Sequence, residues 1–373
     1  PGLELLRDST AWPDAAHRGI GADSKVFEDT ALAAFLHWLE RNWFDVIVTN
    51  HVPQIESAFS YLPAKSALVI CIHDTGQSHK AVALRNARFA NGVITVARHI
   101  ETALKPELER INFRGLIGTV HNGAYYPSQP TRTLRSDEMR LLYMGSMDPF
   151  KGILDIAHIM NRTRQLGVPA TLTIAGGHSE PLAKRLQKFG LDPVVTWTGW
   201  VDHDRCYDLA AASDVLVMPS RKEAFGMVTI EAMAMGCIPI AYDIASGSRE
   251  IIEHERSGFL VPLGAFRTAA NYLKRLRDSP SQRQSMSLAA IQRARTVFSA
   301  ERMALDVAAF LSRVIDRASN QPAERAHGQP PTASPAARQP RAAYQRLPRP
   351  LREWIRNTIG GSPHLCHWLL NRW

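Results

Sequence analysis

Two glutamates with seven residues between them are the side chains of this sequence that are best placed to do chemistry. Glu223 lies in a short loop after the apolar run DVLVMP, and Glu231 lies about one turn into a helix predicted to begin near Met227. Carboxylates placed in this way can accept hydrogen bonds from the paired hydroxyls of a sugar or a ribose. Gly226, between them, allows a ligand to approach the backbone, and the free N–H groups at a helix start suit a phosphate or a hydroxyl.

Glu231 is unusual because its neighbours on the predicted helix are apolar nearly all round. The surrounding sequence is VTIEAMAMG, which is typical of a buried helix. An isolated glutamate is more often a solvated helix residue, but a charge in a buried helix almost never stays unpaired. We therefore expect Glu231 to have a partner.

Short apolar runs alternate with longer amphipathic stretches along the chain, the pattern of β-α-β units around parallel sheets. Strands are predicted over residues 45–50, 67–73, 92–97, 115–122, 140–145, 170–176, 194–199, 214–219, 237–242 and 258–262. Helices are predicted over residues 153–166, 265–278, 281–297 and 300–315. In such sheets ligands bind at the carboxyl ends of the strands, which is where both glutamates fall.

The length of 373 residues favours two domains. We predict an N-terminal α/β domain, a linker, a second α/β domain, a closing helix that packs back on the first domain, a disordered Pro/Arg-rich linker and a basic aromatic tail. Their residues are 1–127, 128–138, 139–299, 300–315, 316–350 and 351–373. The tail mixes Arg with Trp and Leu, so two interpretations stay open: attachment to a membrane surface, or packing on the protein's own surface or on another copy.

Composition excludes several classes of function. The net charge is +9, but nine arginines and only two acids lie between Arg317 and Trp373, so the folded part is nearly neutral and no nucleic acid is expected as a partner. The four scattered cysteines suggest neither a disulfide framework nor a zinc site. We therefore expect the protein to reside in a reducing cytoplasm. No apolar stretch is long enough to predict a transmembrane helix, and the first residues do not resemble a secretory signal.

The segment PS..EAFGMVTIEAMAMG.PIA resembles the E-x(7)-E signature of retaining GT-B glycosyltransferases, in particular glycosyltransferase family 4. Further segments resemble that family in the same order: LLYMGSMDPFKGILDIAHIM, ATLTIAGG, VTWTGWVDHDRCYDLAAASDVLVMPS and SGSREIIEHERSGFLVP. The resemblance covers residues 45–315 and implies α/β GT-B architecture, with an acceptor-side domain followed by a donor domain, two Rossmann-like domains facing a cleft. It also implies an enzyme that moves a sugar from a nucleotide-sugar donor to a glycan or lipid-linked acceptor.

The same resemblance implies roles for individual residues. Glu231 would hold the ribose hydroxyls, Glu223 would face the donor sugar, and Lys151 would neutralise the diphosphate leaving group. His73 would reach the donor sugar from the other domain, although a histidine at a strand end is more often structural. Other donor contacts would come from Gly145, Ser146, Phe225, Gly226, Met227, Gly199, Trp200 and Val201. No metal, cofactor or protein nucleophile is expected, and DHD at residues 202–204 is interpreted as a helix N-cap.

Two features depart from the family pattern. Relatives often carry Arg at the position of Ser146, which predicts weaker phosphate binding unless Arg221, Lys222 or Arg249 substitutes. No strand–Gly–helix unit precedes Asp45, whereas relatives begin with a Gly-rich loop. We therefore expect an incomplete N-terminal domain, in a chain that is either reduced or a fragment of a longer product, since it begins without Met.

Other classes of function remain as alternatives. A non-catalytic nucleotide-sugar-binding module would follow from a truncated N-terminal domain. A nucleotide-sugar epimerase or phosphorylase is disfavoured because the glutamate spacing together with EAFGM fits the transferases better. Nucleic-acid binding through the basic tail lacks aromatic residues interleaved on an ordered platform.

Overall fold

The computed structural model describes residues 44–50, 59–62, 66–74, 76–128 and 138–320 of the chain. One compact unit consists of residues 71–84 and 93–313, and the contacts of the candidate site described below all lie within it. The second unit consists of residues 1–70, 85–92 and 314–373. The predicted domain boundaries stay predictions.

The first sheet contains four strands in the order β1-β2-β3-β4. These strands are Val46–Asn50, Ala67–Ile72, Gly92–Thr95 and Leu116–Thr119, with helices α1 (Gln77–Asn86) and α2 (Arg98–Arg110) between them. Asn91 N bonds Leu68 O and Val96 N bonds Ile72 O, so β2 and β3 run in parallel. All four strands predicted before residue 123 are confirmed with narrower bounds, and the fourth ends at Thr119 and not at the predicted residue 122.

The second sheet contains six strands in the order β10-β9-β8-β5-β6-β7, and its paired strands run in parallel. In chain order the strands β5 to β10 are Met139–Met144, Ala170–Ala175, Val195–Gly199, Val215–Met218, Ile238–Tyr242 and Phe259–Val261. The helices α3 to α10 are Ile153–Gln165, Glu180–Lys188, His203–Ala212, Met227–Ala234, Ser248–Ile251, Phe266–Asp278, Pro280–Val297 and Ala300–Asn320. The six strands predicted here are confirmed, because buried parallel strands read as continuous apolar runs.

The order of the second sheet places a topological switch point between β5 and β8. The chain leaves β5 for β6 on one side and later returns to β8 on the other side. At the amino ends of these two strands, Arg140 Nε and Nη2 donate to the fully buried Asp214 carboxylate at 3.0 and 2.9 Å. This bidentate pair joins β5 to β8 and leaves their carboxyl ends, where open α/β sheets bind ligands, for a site.

The last helix, α10, ends at Asn320 and not at the predicted residue 315, so the predicted linker 316–350 begins with helix. Ser319 Oγ donates to Ile315 O at 3.1 Å and Asn320 Nδ2 donates to Asp316 O at 2.9 Å, and the Ala and Arg of this turn favour helix. The rest of that linker, the tail 351–373, residues 1–43 and most of the linker 128–138 lie outside the described residues. Among the described helices, none is long and apolar enough to cross a membrane.

Candidate functional site

The loops after β5 and β8 touch each other directly at the switch point. Gly152, with φ +66°, lies so close to the next loop that a Cβ there would be 1.9 Å from Pro219 O. Arg221 N donates to Phe150 O at 2.7 Å. Only glycine fits this contact, and the two loops are therefore held in a fixed relation to each other.

This contact brings Lys151 and Glu223 together. Lys151 Nζ donates to Glu223 Oε2 at 2.9 Å, and the two side chains are 24% and 11% exposed. Ser220 Oγ lies 3.4 Å from the same carboxylate oxygen. Two residues predicted for one site, 72 positions apart in sequence, are thus adjacent in space, although their roles with a ligand stay predictions.

Helix α6 begins at Met227, directly after this pair. Gly226 caps the helix with φ +104°, and Phe225 is buried beneath it. The hydroxyl of Thr229 is buried, has no hydrogen-bond partner among the described residues, and lies 3.3 Å from where a Cβ of Gly226 would be. The missing side chain leaves the backbone N–H groups at the helix start accessible to an anion or a hydroxyl.

The expected partner of Glu231 is His203. His203 Nε2 lies 3.1 Å from Glu231 Oε1, and the glutamate is 13% exposed while the histidine is 63% exposed. His203 is the first residue of α5, and Asp202 Oδ1 accepts from Arg205 N at 2.8 Å, which confirms the N-cap interpretation. Sequence reasoning missed His203 as a site residue, because no spacing along the chain relates it to Glu231.

Two tyrosines near Glu231 were also missed. Tyr207 OH donates to Tyr125 O at 2.9 Å, and Tyr126 OH donates to Phe298 O at 2.7 Å. Burial and then the Glu231 carboxylate raise the pKa of Tyr207 to about 12. Both phenols therefore stay protonated at neutral pH and fix the segment after β4 beside the glutamate.

Gly145 and Ser146 form the turn after β5. Tyr143 OH donates to Ser146 O at 2.6 Å, and burial, followed by the carboxylates of Glu223 and Asp148, raises the pKa of Tyr143 well above its usual range. The Ser146 hydroxyl bonds the Asp148 carboxylate. Ser146 thus supplies a short neutral side chain at the position where the resemblance implies Arg.

Gly199, Trp200 and Val201 follow β7. Gly199 has φ +70° and its carbonyl accepts from Gly176 N at 2.9 Å. Trp200 is 75% exposed, and its Nε1 lies 3.6 Å from where a Cβ of Gly177 would be. The exposed indole therefore stands over the carboxyl end of β6, one strand from the Lys151 turn.

The three cations proposed to compensate for Ser146 each pair with an acid. Arg221 Nη2 donates to Asp155 at 2.5 Å, and Arg249 Nε donates to Asp243 at 2.5 Å. Lys222 Nζ lies 3.3 Å from the carboxylate of Asp74. The last pair brings the loop after β2, which also carries His73, against the loop of Glu223. The role of His73 at the donor sugar stays a prediction.

Glu250 on α7 is a further carboxylate that sequence reasoning missed. It is 13% exposed, accepts from Arg98 N at 2.7 Å and lies 2.5 Å from His121 Nε2. Burial alone would raise its pKa, but the bond to His121, the nearby His99 ring at 3.9 Å and the bond from Arg98 N outweigh burial and lower the pKa to about 2. Glu250 therefore ties the segments after β3 and β4 to the segment after β9.

Replacing Glu250 with glutamine is expected to destabilise the fold by about 2 kcal/mol at neutral pH, the typical value of a hydrogen bond to a charged group. Because the folded-state pKa is depressed, this stabilisation is fully present above the ordinary value of 4.5 and is lost as the pH falls toward about 2. Urea unfolding at pH 7, 4.5 and 3 should show the gap between wild type and Glu250→Gln closing across that window. A gap that stays constant, or that appears equally with the exposed Glu109→Gln, contradicts this assignment.

The two α/β sheets are those of the GT-B fold, which the solved structures named below share. Residues 128–293 match the family model of the glycosyl transferases group 1. Sucrose-phosphate synthase from Thermosynechococcus elongatus aligns with a TM-score of 0.62 and 22% identity, covering 78% of this chain and 79% of that one. Anabaena HepE in complex with UDP-glucose aligns with a TM-score of 0.61 and 22% identity, covering 76% and 82%.

Curated relatives agree with the family match. A D-inositol 3-phosphate glycosyltransferase of Nocardioides sp. is 30% identical over 194 residues, 47% of this chain and 42% of the relative. An alpha-D-kanosaminyltransferase of Streptomyces kanamyceticus is 32% identical over 155 residues, 40% and 39%. The chain therefore spans about two fifths of the length of these relatives, 42% and 39%.

Proposed function

We propose that the protein is a glycosyltransferase that moves a sugar from a nucleotide-sugar donor to a hydroxyl of a glycan or lipid-linked acceptor. The observation that carries the proposal is the contact of Lys151 Nζ with Glu223 Oε2, 2.9 Å apart at the switch point. It places a cation and a carboxylate side by side beside the open start of α6. A diphosphate and a sugar hydroxyl need these two groups within a few ångströms of each other.

The proposed reaction proceeds with retention of configuration, as in glycosyltransferase family 4. Lys151 and the N–H groups at Gly226 and Met227 stabilise the charge that develops on the departing diphosphate. Glu223 positions a sugar hydroxyl, and a phosphate oxygen of the leaving group assists removal of the acceptor proton. The proposed mechanism uses neither a protein nucleophile nor a metal.

The nucleotide is proposed to lie between the loops after β5 and β7 and helix α6. Glu231 accepts from the ribose hydroxyls through its carboxylate, which His203 holds through Oε1. The exposed Trp200 indole offers an apolar surface for the base. Support comes from the solved HepE complexes, which contain UDP or UDP-glucose on the same fold. We also propose that the reaction takes place in the cytoplasm.

Donor binding is expected to raise the melting temperature by a few degrees for one class of nucleotide sugar. A ligand at about 100 times its Kd adds about 2.7 kcal/mol of stability. UDP-, GDP- and ADP-sugars would be compared by thermal shift on wild type, Glu231→Ala and the exposed control Glu180→Ala. We expect one class to shift wild type and the control, and to lose its effect in Glu231→Ala because the ribose hydroxyls lose their acceptor.

Each other outcome has a definite meaning. A thermal shift that persists in Glu231→Ala would show that the ribose does not bind at Glu231 on α6. A shift without release of nucleoside diphosphate over long incubation with donor indicates a binding module in place of an enzyme. No shift with any donor refutes the proposed function.

A further inference from the structure

A cavity of about 830 Å³ lies behind the proposed donor loop. Its walls come from the segment after β4, the start of α2, helix α7 and the last two helices. His121 and Phe298 line it, and each of their rings lies 5.8 Å from the ring of Phe225. Phe225 precedes Gly226, so the two rings that line the cavity also pack against the residue before the start of α6.

Part of the cavity wall is apolar. Phe310 on α10 packs so closely on β4 that its Cε2 would be 2.9 Å from a Cβ at Gly118. Phe298 is 1% exposed and Phe310 is 6% exposed, so both rings are fixed by packing. A volume of this size is typical of small-molecule sites, which combine apolar walls with a few polar groups.

The polar groups of the cavity are mainly cationic. Its lining contains two acids, Glu250 and Asp306, and five arginines: Arg98, Arg249, Arg293, Arg302 and Arg313. Both acids have partners within the described part of the chain. Asp306 accepts two hydrogen bonds from Arg302 at 2.6 and 3.0 Å, and Glu250 accepts from His121 and Arg98 N.

Two further arginines are also occupied. Arg293 donates to Glu253, to Ile251 O and to Glu250 O, and Arg249 donates to Asp243. The guanidinium groups that remain are those of Arg98 and Arg313, for which the described residues supply no hydrogen-bond or ion-pair partner. Both side chains are exposed at the cavity. The cavity therefore has two cations more than its neighbours neutralise.

We propose that this cavity binds the phosphate or carboxylate group of a small molecule, with Arg98 and Arg313 as its ligands. Planar guanidinium groups bind such oxyanions through two parallel hydrogen bonds, and they do so best against apolar walls that limit water. Lys151 and Glu223 do not line the cavity, so this site is separate from the donor site. The inference goes beyond glycosyl transfer and holds whether or not the donor proposal is correct.

Inorganic phosphate and glucuronate are the probes, titrated by calorimetry into the full chain at constant ionic strength with chloride as the background anion. The double variant Arg98→Gln/Arg313→Gln is expected to raise the Kd of the bound probe at least tenfold. The control Arg114→Gln/Arg267→Gln changes the net charge equally, at exposed arginines that do not line the cavity, and should leave the Kd unchanged. Tighter binding of phosphate identifies a phosphorylated ligand, and tighter binding of glucuronate identifies an acidic sugar.

A second variant tests the cavity without removing charge. Ala309 is an exposed lining residue, and Ala309→Trp places an indole in the cavity, so it should weaken the same probe by at least tenfold. Melting temperatures confirm that each variant folds. Absence of binding to wild type, or equal weakening in the arginine control, overturns the proposal. Loss of binding in Lys151→Met with retention in the Arg98/Arg313 variant also overturns it, because the anion then binds at the donor site.

Discussion

Replacing Lys151 with methionine is expected to lower the rate of nucleoside diphosphate release from the donor by about 10² to 10³-fold. Charge on the leaving diphosphate grows toward the transition state, so a cation at that point stabilises the transition state more than the bound donor. We therefore expect kcat to fall much more than the apparent affinity for the donor. Initial rates would be measured with the nucleotide sugar identified by thermal shift, and with water or an added glycan as acceptor. They give both kcat and the apparent affinity for the donor.

The matched control is Lys184→Met. Lys184 is 73% exposed on α4 and lies 3.3 Å from Glu180 one turn earlier, so its loss removes a surface ion pair of little energetic consequence. A Lys151 variant that keeps the wild-type kcat would separate this lysine from the leaving group. A variant in which affinity and kcat fall equally would show that Lys151 binds donor and transition state alike.

The Ser146 position bears on the size of this effect. The resemblance implies Arg at that position and thus a second cation on the diphosphate, whereas here Arg221, Lys222 and Arg249 are each paired with an acid. Lys151 is then the only cation among those predicted residues whose partner, Glu223, itself belongs to the proposed site. The loss of that single charge should be correspondingly severe.

The strands of this fold could be predicted from the sequence because parallel strands are buried on both faces. Runs such as LLYM and VLVM have no polar positions, and they are bounded by Gly or Pro where the chain turns. The helix starts at Met227 and Ile153 could also be predicted, because a glycine precedes each of them. These features are local, and a window of a few residues contains them.

The side-chain partners could not be predicted because they are distant in sequence. His203 and Glu231 are 28 residues apart, and His121 and Glu250 are 129 apart. Neither local segment contains a signal that predicts its partner, because the pairing depends on which strands become neighbours in the sheet. The E-x(7)-E spacing predicts only the part of the candidate site that is local in the chain, and the remaining groups could be found only from the fold.

The same limit applies to the cavity. Its two uncommitted arginines, Arg98 and Arg313, belong to α2 and α10 and look like ordinary surface residues in the sequence. The packing of Phe310 on Gly118 places α10 against β4, and the fold brings both arginines to one cavity. The net charge does not predict the cavity either, because the folded part is nearly neutral overall and the excess of cations is local.

The contact that holds the site together can be tested at one glycine. Gly152→Ala is expected to destabilise the fold by about 3 kcal/mol or more, the range of a strained backbone combined with a steric clash. The new Cβ would meet Pro219 O at 1.9 Å and Pro219 C at 2.8 Å. Both are backbone atoms, so the loops after β5 and β8 must separate to admit it.

Gly167→Ala supplies a control that isolates the clash. Gly167 has φ +69°, almost the +66° of Gly152, but no heavy atom lies within 4 Å of where its Cβ would be. In urea unfolding, Gly167→Ala should therefore be destabilised only by the strain of a left-handed backbone, about 1 kcal/mol. It should keep its donor-induced thermal shift. Gly152→Ala should lose the shift as well, because separating the loops draws Lys151 away from Glu223. Equal destabilisation of the two variants would show that the loops yield without cost, and Lys151 and Glu223 would then owe their proximity to the ion pair alone.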